Sequence, residues 1–144
     1  MTGTKTLTII KPEAVAKEYA GQILAKINSQ GFHISAMKLI SLTKKMAEDF
    51  YSVHKSKPFY ESLTGFMTSG PVVVAILEKA NAVEEYRKLI GNTDPAKAGE
   101  GTIRKMYAES IERNAVHGSD SDENAKRECD FFFSLSERYS VFED

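Results

Sequence analysis

Residues 114–121 read NAVHGSDS and set His117, one of only three histidines, between a small apolar pair and a glycine. Neutral imidazole attacks phosphorus well, and histidine is an accepted covalent catalyst. Gly118 removes side-chain bulk beside the ring, so a ligand can come close. Ser119, Asp120 and Ser121 bring helix-capping side chains and free backbone N–H groups, surroundings that suit an anion. Glu128 falls in the following helix, three residues after Ala125 and four before Phe132. It therefore borders the buried stripe, where its carboxylate can point back and fix the ring's orientation and tautomer. No Ser or Cys nucleophile motif accompanies the pair, which leaves the histidine itself as nucleophile. The competing reading is a histidine kept at a strand end for structure alone.

Other phosphate-binding patterns fall short. GFMTSGPV (65–72) has the glycine spacing of a P-loop, but Pro71 and Val72 stand where Lys and Ser/Thr are required, so it reads as a turn before a strand. GEGTIR (99–104) lacks the third glycine of a dinucleotide fingerprint. No H-E-x-x-H, paired C-x-x-C or G-x-S-x-G occurs, which leaves metalloprotease, zinc-ribbon and α/β-hydrolase readings unsupported.

The elements that must position these residues follow from periodicity. TLTIIK (6–11) reads as a buried strand stopped by Pro12. Residues 13–30 read as one helix with Ile23, Leu24 and Ile27 at core spacing and Gly31 as its end. FHISAMKLISL (32–42) alternates like a strand, and Thr43 can cap a helix carrying Met46, Phe50 and Val53. Ser56 and Pro58 start a short helix at KPFYESL. VVVAILE (72–78) is β-branched and continuous, as a strand buried on both faces should be. Asn81 with Glu84 resembles a capping box for a helix running to Gly91. Residues 91–102 are Gly- and Pro-rich and too long for a simple turn, and long loops in compact domains are often functional. A short strand near 114–117 and a helix from about Ser121 complete the chain, with Ala125, Cys129, Phe132 and Phe133 as the apolar stripe. The order β-α-β-α-β-α-β predicts an α/β sandwich with helices on one face of the sheet, in the split β-α-β arrangement.

Composition narrows the class. The 144 residues predict one domain, able to bury roughly 70% of its unfolded surface without staples. Apolar residues are 42%, charged residues 27%, and the net charge is −1. That balance argues against a dedicated nucleic-acid or membrane-surface protein. A single cysteine, Cys129, allows no internal disulfide. The N-terminus shows no secretory pattern, and no apolar run approaches about 18 residues, so a cytoplasmic protein is expected.

With these residues in view, the chain resembles the nucleoside diphosphate kinase family essentially end to end, NAVHGSDS matching that family's N-x-x-H-G-S-D active-site motif. The resemblance implies a ferredoxin-like sandwich with a four-stranded antiparallel sheet over residues 1–144. It implies transfer of the terminal phosphate of a nucleoside triphosphate to a nucleoside diphosphate, with His117 as the phosphohistidine and ping-pong kinetics. It implies that Lys11 contacts ribose and phosphate, that Tyr51 lines the site near the histidine, and that the base stacks on Phe59. Arg87, Thr93 and Arg104 match phosphate contacts, Asn114 the partner of the ribose 3′-hydroxyl, and Ser119 and Glu128 the support behind the histidine. Stacking tolerates every base, so broad nucleotide use is expected. Mg²⁺ is expected to ride on the nucleotide phosphates, which explains the want of a carboxylate cage.

Two other readings stand beside the enzyme. One is a nucleotide-binding regulator that kept the pocket and lost transfer. The other is an RNA-binding module, which the absence of an aromatic-rich strand and of a basic charge disfavours. The family assembles as homohexamers or homotetramers, and the sequence, ending in the short tail YSVFED, does not choose between them.

Overall fold

The computed structural model describes residues 3–142; the first two residues and the last two of the YSVFED tail lie outside them. Strand β3 (Val72–Glu78) is the spine of the fold, with all seven residues buried. It pairs on one side with β1 (Lys5–Ile10) and on the other with β2 (His33–Ile40), and β1 pairs in turn with the short β4 (Val116–Gly118). All neighbours are antiparallel, in the order β2-β3-β1-β4, which is the split β-α-β sheet.

Alternation along β3 sends its side chains to opposite faces. Val72, Val74 and Ile76 join Leu7, Ile9, Phe50, Met67, Cys129 and Phe132 in one core. Val73, Ala75 and Leu77 join Ile10, Ile23, Ile27, Tyr86, Ile90 and Ile103 in another. Helices α3 (Lys44–Phe50), α4 (Tyr60–Met67) and α7 (Asp122–Phe132) cover the first face. Helices α1 (Pro12–Ala16), α2 (Ala20–Ser29), α5 (Ala82–Ile90) and α6 (Ile103–Tyr107) cover the second. The expectation of helices on one face is thus corrected. A central strand apolar on both faces needs a cover on each.

Further differences are local. The helix expected over 13–30 breaks at Lys17–Tyr19, where Glu18 adopts φ 65° and lets α2 set off in a new direction. Asn81 also sits in the left-handed region, and its Nδ2 donates to Glu84 Oε2 at 3.0 Å instead of capping the backbone, so the expected box does not form. Residues 91–102 form a loop as expected, and directly after it comes a short helix not assigned from sequence, α6, which Thr102 caps by accepting the Lys105 amide. Caps at Thr43 and Ser121 are found as expected, accepting the amides of Met46 and Asn124. Among the described residues no helix is long and apolar enough to cross a membrane.

Candidate active site

The pairing of β1 with β4 sets Ile9 opposite His117 and brings Lys11, just past the end of β1, beside the 114–116 segment. The Lys11 amide donates to Ala115 O at 2.8 Å. On the other side Ser121 fixes the start of α7, and the helical period turns Glu128 inward among Ala125, Cys129 and Phe132.

Glu128 Oε1 accepts from His117 Nε2 at 2.7 Å and from Ser119 Oγ at 2.8 Å. Ser119 Oγ in turn accepts the Leu7 amide at 3.1 Å. A carboxylate acceptor places the imidazole hydrogen on Nε2, so the lone pair belongs to Nδ1. No hydrogen bond from the described residues reaches that nitrogen. The His117 side chain keeps 19% of its surface exposed. Phe50 packs edge-on against the ring, with centroids 5.5 Å apart. The Tyr51 hydroxyl is buried and finds no partner among the described residues. Burial, and then the nearby Glu128 carboxylate, raises its phenol well above the ordinary range.

A second group carries positive charge. Arg104, nearly buried, donates from Nε to Asn114 O (3.3 Å), from Nη1 to Gly91 O (3.0 Å) and from Nη2 to Val116 O (2.9 Å). Burial lowers its pKa to about 10, and Arg87 pushes in the same direction. Lys11 is buried too; its pKa is pulled down to about 8, first by burial and then by Arg104, with Glu13 opposing. Arg87 and Thr93 join Arg104 in lining an open, polar recess of about 230 Å³. Asn114 is buried; its Nδ2 donates to Ile111 O while Oδ1 has no partner among the described residues.

Asp120 joins the two groups. Its carboxyl is held below the usual range by the 2.6 Å hydrogen bond from Asn124, and Arg87 and His117 add to the effect. Phe59 stands outermost and 47% exposed, at the end of a row in which the His54 ring packs 5.4 Å from Phe59 and 6.5 Å from Tyr51. From sequence His54 carries no assigned role, and Asp120, inside the NAVHGSDS motif, reads only as a helix-capping side chain in surroundings that suit an anion. Among the described residues no three His, Cys, Asp or Glu side chains converge where they could hold a metal ion.

The arrangement sets an imidazole, held through one nitrogen by a carboxylate, in the same part of the fold as buried cations that suit a phosphate. On this sandwich it is the kind of site a phosphotransferase needs. The sequence model of the nucleoside diphosphate kinase family matches residues 4–138. The nucleoside diphosphate kinase of Chloroherpeton thalassium is 57% identical over 92% of this chain and 94% of its own, and that of Campylobacter lari 56% over 92% and 97%. A solved structure of the Aquifex aeolicus nucleoside diphosphate kinase superposes with a TM-score of 0.92 at 40% identity, over 94% of this chain and 98% of that one. The Halobacterium salinarum nucleoside diphosphate kinase in complex with CDP gives 0.91 at 32% identity, over 97% and 93%. The chain belongs to the nucleoside diphosphate kinase family.

Proposed function

We propose that this kinase moves the terminal phosphate of a nucleoside triphosphate to a nucleoside diphosphate in two displacements through His117. The Nδ1 lone pair attacks the terminal phosphorus, a P–N bond forms, and the bridging P–O bond breaks as the diphosphate leaves. A second diphosphate then attacks the same phosphorus, and the P–N electron pair returns to Nδ1. One observation carries the reading: Glu128 occupies Nε2, so Nδ1 is the nitrogen with a lone pair to give.

The remaining assignments are supported by placement. Arg87, Thr93 and Arg104 share one recess, where two planar donor forks and a hydroxyl suit phosphate oxygens. Lys11 adds a point charge beside Arg104. The Asn114 Oδ1 and Tyr51 hydroxyl, buried and without a partner among the described residues, are polar atoms a ligand can satisfy, Asn114 on the ribose 3′-hydroxyl and Tyr51 near the transferred phosphate. Phe59 offers the exposed aromatic face on which any base can stack. Ser119 secures Glu128. The Halobacterium relative's complex with CDP supports a nucleoside diphosphate as ligand. Mg²⁺ would arrive with the nucleotide and neutralise phosphate charge, as no three His, Cys, Asp or Glu side chains converge where they could hold a cation among the described residues. The kinase is also proposed to self-associate: edge strand β2 leaves Met37 and Leu39 more than half exposed. A light-scattering mass tests that.

The mechanism is tested by incubating the protein with γ-labelled ATP and separating it under alkaline conditions. The wild type is expected to carry one acid-labile phosphate per chain and to release it to any added nucleoside diphosphate. H117A is expected to fold, carry no label and transfer nothing. Phosphate exchange retained by purified H117A overturns the mechanism, and a wild type that binds nucleotide but never labels favours a regulator.

A further inference from the structure

Ala115 is one of only three non-glycine residues among those described with positive φ, at 73°. The Val116 amide donates to Asn114 O at 2.9 Å, two residues back. Together these make a γ-turn of the rare, strained hand, centred on an alanine two residues before His117. Strain of this kind persists only where the surroundings over-determine it. Here four hydrogen bonds do so. Ala115 O accepts from the Lys11 amide at 2.8 Å. Asn114 O and Val116 O accept from the Arg104 guanidinium at 3.3 and 2.9 Å. The Ala115 amide, fully buried, donates to Glu13 Oε1 at 2.9 Å. Lys11 and Arg104 have proposed roles in holding nucleotide. Glu13 has none, yet it is the partner of an amide with no route to water.

We infer that Glu13 is a positioning residue for phosphotransfer, holding the strained turn at Ala115 that keeps His117 in register with Lys11 and Arg104. The inference rests on the reading of His117 as phosphate carrier. Without the acceptor, the buried amide is left unsatisfied and Ala115 has reason to relax to negative φ. The peptide planes on either side then rotate. The carbonyls of Asn114 and Val116 turn away from Arg104, and the start of β4 shifts against β1. One oxygen is enough for this task, since Glu13 Oε2 has no partner among the described residues. An amide at this position therefore keeps the device, and an alanine destroys it. A purely electrostatic role, in which the carboxylate offsets the charge of Lys11, makes the opposite forecast for the amide.

The experiment measures the single-turnover rate of acid-labile phosphoprotein formation from γ-labelled ATP. It compares wild type, E13A, E13Q, E13D and the double variant E13A/A115G, with folded fraction read by near-ultraviolet circular dichroism. E13A is expected to slow labelling by on the order of tenfold to a hundredfold, the scale of an ångström's misplacement, with nucleotide KM moving less. E13D, which keeps the charge but withdraws the acceptor by one methylene, falls with it and serves if E13A does not fold. E13Q recovers most of the loss, and E13A/A115G recovers part, because glycine takes this φ at no steric cost. E13A and E13D labelling at the wild-type rate, E13Q no faster than E13D, or A115G giving no recovery overturns the inference. A wild type that fails to label, or an H117A that labels, instead overturns the reading beneath it.

Discussion

Behind the His117 ring the polar groups are matched in a chain: Nε2 to Glu128, Glu128 to Ser119, Ser119 to the Leu7 amide. Along the 114–116 segment that precedes it, Lys11 and Arg104 are buried near each other, each with its proton held less firmly than in water. The rear is satisfied whether or not a nucleotide is bound. The cationic pair keeps its mutual repulsion, although each Arg104 nitrogen already donates to a carbonyl. Orientation of the imidazole is thus built into folding, whereas under the proposed function the cation repulsion would be relieved by a bound polyanion, raising its affinity at the expense of the empty protein.

The largest way to break this comparison is E128A. Loss of the orienting carboxylate is expected to lower kcat by as much as about 10⁴-fold while nucleotide KM changes far less. A variant within threefold of wild type would show that the rear chain orients nothing. Next comes the pH dependence of kcat/KM. Lys11 is charged below its pKa, so its attraction for phosphate is present below about pH 8 in the free enzyme and lost as pH rises through that value. An alkaline limb near pH 8 is expected in the wild type and is absent in K11M. The same substitution removes a desolvated cation, so K11M melts higher than wild type at pH 7 when nucleotide is absent. F59A should raise KM by about tenfold across adenine, guanine and cytosine nucleotides, the scale of one lost stacking contact, with kcat moving less. The smallest effect belongs to S119A. It strands the Leu7 amide at about 1 kcal/mol, lowering the melting temperature by about 4 °C and kcat only severalfold.

Much of the fold was legible because its signals are local. The run VVVAILE declares a strand buried on both faces, and Thr43 and Ser121 declare helix starts with their own side chains. The pairing of His117 with Glu128 was legible for the same reason, since helical spacing alone turns Glu128 toward the ring. The break at Glu18, the left-handed Asn81 and the γ-turn at Ala115 left no mark, because nothing in their residue types announces positive φ except, weakly, the asparagine. Glu13 was invisible as a partner of Ala115, since only the pairing of β1 with β4 brings them together. The lowered pKa values of Lys11 and Arg104 come from burial, which a short helix such as α6 after a Gly-rich stretch does not advertise.

Strand β1 lies between β3 and β4, so the earliest of these four strands in the sequence completes its pairing only with the last of them. At about 5–20 residues per second, Ile9 leaves the ribosome on the order of ten seconds before His117 follows. Throughout that interval β1 has an open edge. Until then the bare edge of β1 offers its unpaired backbone groups to any strand it meets.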